Sequence, residues 1–484
     1  MLIVATGFCI LYRFTGLSFL KTFCRFFMNE ILTQKEPLPQ WRRVLLGLIL
    51  AGMVTLASLL LVGYYIESQL GAEITMIKDA GEPVNFEDFQ TDVNSAATIE
   101  DAGRYYDEAL SQIDPNTSRN LMLIRNFYRK SIITLPADKF PGDMLKRIAR
   151  ILSQTQLLME KFDEAAKLPL FYFDVGIEQG IEVYKVRVKA LEAGAALLSI
   201  RTLEMIRTAR EDAAVESVIS MLKMSRIFEQ CPTLLSQIAK AMFIETACQD
   251  IGLLFEHGCP SEQALSNLQD VLSQEAPEDM LERAFYAERV YQMEIGRNLI
   301  PEKIASELLQ QDVPELPERL SLPSTRWGQL RLRQKATWYF RNMAELIETA
   351  RRPWPEPFEG IVNNPPESMK KTDKLMASAS MSVRLASEVT NLVRCAILVV
   401  AIERYRQSSG SVPASLEILV PGYLDSIPLD TFTGKKLLYR FDDKIYVVYS
   451  VGVNLKDDWG SVVSHVQGKS PEDFGFRIKL AKAK

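Results

Sequence analysis

Few places in this chain of 484 residues could carry out chemistry. The one stretch that reads as a candidate site is the acidic loop Asn454-Leu455-Lys456-Asp457-Asp458, and its simplest reading is a solvated turn. Two histidines are present, His257 and His465. His257 falls where a helix should end, so a C-terminal cap interaction suits it, and His465 lies in a polar tail. The chain contains no Gly-x-Ser-x-Gly elbow, His-Glu-x-x-His pair, P-loop or Gly-x-Gly-x-x-Gly turn, which removes the common local signatures of hydrolases, zinc peptidases and nucleotide binders. Ser-x-x-Lys occurs three times, at Ser18 to Lys21, Ser220 to Lys223 and Ser368 to Lys371. Without companion Lys-Thr-Gly or Ser-Asp-Asn motifs this spacing is at chance level. A glycosidase-type carboxylate pair leaves no local signature, so that route stays open.

Cysteines and charge narrow the classes further. The six cysteines, at positions 9, 24, 231, 248, 259 and 395, form no Cys-x-x-Cys pair, which argues against a thiolate metal site. Cys248 and Cys259 are the candidate disulfide, and Cys395 reads as a packed thiol. The net charge of −5 is uneven: residues 1–43 carry six Lys or Arg against two Glu, leaving the rest of the chain strongly acidic. An acidic body argues against nucleic acid as a partner, because phosphate binding needs a basic surface.

The elements that must position any site are almost all helical. Val44 to Ile66 is an uncharged run rich in Val, Leu, Ile, Ala and Gly, about 34 Å long as a helix and so long enough to span a bilayer. Trp41, Tyr64 and Tyr65 flank it, and Arg42-Arg43 precede it, which by the positive-inside tendency keeps the N-terminus in the cytoplasm. The run lacks a small-residue cleavage site after it and reads as an uncleaved anchor. Met28 is an alternative initiator, and Gly7-Phe8 lacks the flanking residues of a prepilin cleavage site.

Beyond an acidic connector over 72–96, periodicity predicts helices over about 100–113, 119–134, 142–161, 175–228, 232–257, 261–274, 277–297, 301–311 and 329–348, with the 175–228 stretch dividing within Ala193 to Ser199. Pro-rich stretches at 313–323 and 353–366 read as covering loops. Met376 to Gln407 reads as one long helix with an all-round apolar run at Ile397 to Ile402, ended by Gly410. A short helix over 415–420 follows, and Lys436 to Phe441 with Lys444 to Ser450 form a hairpin around Asp442-Asp443, placed to lie across the long helix. The organisation expected is a cytoplasmic segment (1–43), a transmembrane helix (44–66), an irregular helical bundle (67–375) and a small α+β domain (376–484). An α-solenoid is the second reading of the bundle.

One family resemblance rests on the C-terminal stretch. The apolar run Ala396 to Ile402, the break at Ser408 to Gly410, then Pro413, Leu419-Val420-Pro421, Tyr423-Leu424, and the closing run from Tyr449-Ser450-Val451-Gly452 to Asp457-Asp458 together resemble the C-terminal half of the major (G-type) pseudopilin of type II secretion. The resemblance covers about a fifth of the chain. It implies a long helix packed on a small antiparallel sheet, and a calcium ion in the loop after the Tyr-Ser-x-Gly strand, with the Val451 carbonyl, Asn454, Asp457 and Asp458 as ligands. The chain departs from that pattern at Trp459-Gly460-Ser461-Val462-Val463, and in setting some 300 residues between anchor and module, so a polymerising pilin subunit is not implied. Similar modules ending large anchored helical proteins resemble uncharacterised envelope proteins of planctomycete-like bacteria.

The expectation that follows is a single-pass protein of the cytoplasmic (inner) membrane, N-terminus inside and main body extracytoplasmic or periplasmic. Its role would be structural or in assembly, with envelope or secretion-system proteins as partners. The alternatives are an extracytoplasmic peptide- or glycan-binding protein and, third, a cryptic hydrolase.

Overall fold

Helical periodicity is realised through most of the chain in the structure, a computed structural model that describes residues 39–89, 100–135, 139–170, 173, 181–230, 232–275, 280–296, 326–365, 373–442, 444–462 and 473–480. The helices are α1 (Gln40–Asp79), α2 (Ala102–Leu110), α3 (Ser118–Thr134), α4 (Gly142–Gln154), α5 (Gln156–Lys167), α6 (Ile181–Arg207), α7 (Glu211–Ser225), α8 (Leu234–His257), α9 (Glu262–Leu272), α10 (Met280–Gly296), α11 (Arg326–Ala350) and α12 (Asp373–Ser409). Three strands close the chain: β1 (Leu438–Phe441), β2 (Ile445–Ser450) and β3 (Phe474–Lys479). The expected helix at 301–311, the loop at 313–323 and His465 lie outside the described residues.

Local chemistry sets most of the ends. Asp101, Thr233 and Ser261 each accept a backbone N–H of the first turn that follows, at Gly103, Ser236 and Ala264, satisfying donors that a helix start leaves open. Gly410 ends α12 with φ +78°, the left-handed conformation that glycine takes without a Cβ penalty.

Two boundaries differ from expectation. The predicted helix over 142–161 is two helices meeting at Thr155, and the 175–228 stretch divides at Thr208 to Arg210 rather than within Ala193 to Ser199. At the actual break Ala209 is left-handed, with φ 54°. The small residues at 193–199 serve packing instead: a Cβ on Gly194 would come within 3.1 Å of the Phe162 ring, so glycine there lets two helices approach closely. The helix bearing the uncharged run also continues to Asp79, well past Ile66.

At the centre lies α12. Its apolar run must be covered on all sides, and α8 and α9 cover one flank while β2 and β3 cover another. Leu398, Val399, Val400, Ala401 and Ile402 are fully buried. By length and composition the span Ala377–Ser409 could cross a membrane, yet 72% of its apolar window is buried inside the protein, which marks a core helix. The hydrophobic core is continuous from Phe86 to Ile478, so it crosses residue 376 without a break. The loop after Pro353 contributes to it as well, where the Phe358 ring meets Phe432 edge-on at 4.9 Å.

The sheet is antiparallel in the order β1-β2-β3, with Tyr439 opposite Val448 and Val447 opposite Arg477. The hairpin over 438–450 matches the predicted one, and the expected short helix is a 3₁₀ turn at Leu416–Leu419. β3 pairs with β2 at the edge of the sheet under a severe constraint. Gly475 has φ +153°, and a Cβ there would sit 2.2 Å from the Val448 carbonyl oxygen. Gly475→Ala should therefore cost about 3 kcal/mol or more, in the range of strained or overpacked sites, read as a lowered urea midpoint. Leu398→Ala should cost a similar ~2–5 kcal/mol through the cavity left in the core.

Candidate functional site

The residues expected to hold calcium lie on one loop but engage different partners. Tyr449 Oη donates to Asp457 Oδ1 at 2.9 Å and Arg440 Nη2 donates to Asp457 Oδ2 at 2.8 Å. Arg440 also stacks on the Trp459 ring, 4.2 Å from its centroid. Asp458 Oδ2 instead accepts from Asn454 Nδ2 at 2.7 Å, and the Asn454 side-chain oxygen accepts from Lys456 N at 3.0 Å. Burial works to raise the Asp457 pKa, but the Tyr449, Trp459 and Arg440 donors outweigh it and hold the carboxyl below its ordinary value. Among the described residues no group of three or more His, Cys, Asp or Glu side chains is arranged to hold a metal ion. The counter-charge that a calcium ion would bring to Asp457 is already supplied by a guanidinium.

The polar centre that fixes this loop was not anticipated. Asp430, 2% exposed, accepts from Asn391 Nδ2 at 3.0 Å, Phe432 N at 2.8 Å, Ser450 Oγ at 2.9 Å and Val451 N at 3.2 Å. Asn391 Oδ1 in turn accepts from Thr431 N at 2.9 Å. One carboxylate thus ties α12, the 428–434 turn and the end of β2 together. Asp473 plays a second such part, accepting from Asp458 N and Gly460 N. Asp430, with Pro428, stands in the order of residues that carries the pseudopilin resemblance, but that order does not reveal its part as a buried acceptor. Asp473 belongs to no motif, and both its partners are backbone N–H groups 13 and 15 residues away.

A cleft of ≈ 370 Å³ opens where the helical body meets the sheet. One face of α8, carrying Glu245, Cys248, Gln249, Gly252 and Glu256, forms a wall, Arg129 and Ile133 of α3 form a second, and β3 runs along the third. Gly252 faces the Phe476 ring, and a Cβ there would stand 3.6 Å from it, at ordinary van der Waals distance. Behind this wall Arg125 donates to Ser199 Oγ at 3.0 Å and Gln249 Oε1 at 2.8 Å, and Ser199 Oγ donates to Asp250 Oδ2 at 2.6 Å. Arg129 also donates to Gln249. Burial pushes the Asp250 carboxyl up to about 6, against the pull of Arg125, Ser199 and Arg129.

The nucleophile candidates are engaged elsewhere. Ser220 Oγ donates to Asp163 at 3.0 Å while Lys223 Nζ donates to the Ala166 carbonyl at 2.6 Å, so the two do not act on each other. The other two Ser-x-x-Lys pairs lie outside the described residues. His257 Nδ1 is 3.0 Å from the Leu253 carbonyl, the helix-end contact expected of it. Cys248 and Cys259 are free thiols, the first buried and the second exposed, so the candidate bridge is not formed. The cleft offers charged hydrogen-bonding groups on an apolar floor, an arrangement suited to holding a ligand.

Comparison with sequence-family models, with curated proteins and with solved structures returned no match.

The buried Asp250 makes a measurable prediction. Its native pKa lies above the ordinary value near 4, so between pH 4 and 6 the folded state holds a proton that the unfolded state has released, and stability falls as pH rises through that window. Urea titrations should show wild type losing roughly 2–3 kcal/mol relative to Asp250→Asn from pH 4 to pH 7. Parallel curves for the two proteins would sink this assignment.

Proposed function

We propose that the protein is a single-pass, membrane-anchored envelope protein, with its N-terminus inside and an extracytoplasmic helical body ending in a pseudopilin-like α+β region, serving a structural or assembly role alongside envelope or secretion-system proteins. The observation that carries the anchor is the outer surface of α1: Leu48, Val54, Leu56, Leu59, Leu61 and Val62 are all exposed. Spread around the helix, these side chains form an apolar surface that water does not favour and a lipid interior would cover. Tyr64 and Tyr65, also exposed, stand where interfacial aromatics belong. The pseudopilin-like part is supported by the packing of α12 against an antiparallel sheet, and by the order of motifs through Asp458.

A second reading, peptide or glycan binding, is favoured by the cleft between α3, α8 and β3. Calcium at the acidic loop belongs to the first reading as an ion that would displace Arg440 from Asp457. A melting midpoint raised by millimolar calcium supports that displacement, and an unchanged midpoint removes the ion from the proposal.

Two measurements test the anchor. Alkaline washing should leave the protein in the membrane pellet, and deleting Val44 to Ile66 should release it. A reporter active only outside the cytoplasm, fused after Lys484, should be active; a stable but inactive fusion would overturn the orientation. For the role itself, crosslinking in native membranes should recover pilin-like or secretion-platform proteins, and recovery of this chain alone would overturn the secretion link.

A further inference from the structure

Hydrogen-bond alternation across the sheet leaves one row of backbone groups facing outward. Leu480 N donates to Lys444 O at 2.7 Å, and Asp442 N donates to Ile445 O at 2.8 Å. Bonded residues stand directly opposite each other in an antiparallel ladder, and bonded pairs alternate with unbonded ones. The register then sets Tyr446, Val448 and Ser450 of β2 to bond Ile478, Phe476 and Phe474 of β3, while Ile445, Val447 and Tyr449 turn toward β1. Gly475, Arg477 and Lys479 consequently turn their N–H and C=O groups away from β2. β3 is the last strand of the sheet. Beyond it, among the described residues, only Val462 pairs with that edge, in parallel opposite Asp473.

The row faces the cleft between α3, α8 and β3. All six residues 474–479 line that cleft. Neighbouring side chains of a strand point to opposite faces, so a wall containing all six is the strand's edge. Outward backbone donors and acceptors at this spacing are complementary to one kind of ligand, another extended main chain. Gly475 to Lys479 offers roughly 17 Å of ladder.

Side chains set the composition of that ligand. Phe476 and Ile478 are buried on the inner face of the sheet, whereas Arg477 and Lys479 are exposed on the outer one. The carboxylates lining the cleft, Glu245 and Glu256, belong to the α8 wall, so the charge along the edge itself is basic. An added strand places alternate side chains on the two faces. Those on the outer face lie beside Arg477 and Lys479, where opposite charge across a strand pair is favourable. Those on the inner face meet apolar lining such as Leu253 of α8 and Ile133 of α3, the latter still exposed.

We propose that the outer edge of β3 takes up an extended peptide as a further strand, with acidic side chains alternating with apolar ones. Within the peptide-binding reading of the cleft, on which this inference rests, main-chain hydrogen bonds supply the affinity while Arg477 and Lys479 select the charge.

The test pans a phage library of random seven-residue peptides against the full-length protein in detergent micelles, then measures synthetic copies of the enriched sequences by fluorescence anisotropy. Enriched sequences should carry Asp or Glu at alternate positions. Methylating single backbone nitrogens of such a peptide should weaken binding about tenfold at every second position, where the N–H faces β3, and much less between them. Arg477→Gln should weaken binding about threefold. Arg477→Pro also removes an outward N–H, at a position where an edge strand tolerates proline, and should weaken binding about tenfold further. If Arg477→Pro lowers the circular-dichroism melt, the methylation series decides alone. No enriched sequence fails the peptide reading, and this proposal falls with it. Peptides that bind a folded Arg477→Pro as tightly as wild type, or that tolerate methylation at every nitrogen, overturn strand addition and leave the peptide reading standing. Enriched sequences without acidic residues overturn the part assigned to Arg477 and Lys479.

Discussion

Burying the apolar run of α12 is the constraint on which the rest of the structure depends. Side chains from Leu398 to Ile402 point in every direction around the helix, so no single partner surface could cover them. Each fully buried aliphatic side chain contributes about 1.5–3 kcal/mol, and that return requires α8, α9 and the sheet to close around one axis. Polar clamps fix the register at both ends of the run. Near its start Asn391 meets Asp430 and Ser450. Near its end Glu403 accepts from Tyr446 Oη at 2.7 Å and from Arg406. Burial, reinforced by the Glu403 charge, raises the Tyr446 pKa well above its ordinary value, so the phenol stays a donor. Removing one member of such a buried set would leave the others unpaired, which is costlier than the bond itself.

A second point of attachment lies where α1 meets the body. Glu82, just past the end of α1, accepts from Arg289 at 2.6 Å and from Arg351 at 2.7 Å. Burial works to raise its pKa, but the two guanidinium groups outweigh it and hold the carboxyl below its ordinary value. Arg289 is itself 1% exposed and lies over the Tyr286 ring. Together with the apolar seam of Leu70, Ile77, Ala336 and Phe340 between α1 and α11, this cluster makes α1 and the helical body one continuous packed unit rather than two parts on a loose tether. A lateral load on α1 would then reach the core through packed helices.

The residues that look chemical in the sequence and those that the fold uses are largely different sets. Asp457 and Asp458 attract notice because they are adjacent, yet Arg440, arriving from β1, gives Asp457 its counter-charge. Asp430 has no acidic neighbour beside it and Asp473 follows Glu472, yet the fold buries and pairs both of these carboxylates. Asp250, Arg125, Ser199 and Gln249 meet from three helices and show no spacing that periodicity could detect. Helix ends were more legible where a capping side chain or glycine acts within four residues, as at Ser261 and Gly410. They were less so where packing decides, as at the division between α6 and α7.

By itself the sequence determined a mostly helical chain, an uncharged 23-residue run after a basic segment, a long apolar helix stopped by glycine, and a hairpin around Asp442-Asp443. These follow from local preferences and from periodicity, which act over a few residues. Tertiary structure alone decided which apolar helix would be enclosed and which left exposed. Two similar runs, in α1 and α12, differ because only α12 is surrounded by matching surfaces. It also decided that α11 would lie along α1 and that a cleft would open between α3, α8 and β3. Contacts between residues more than a hundred positions apart depend on how surfaces fit, and no local pattern encodes that fit.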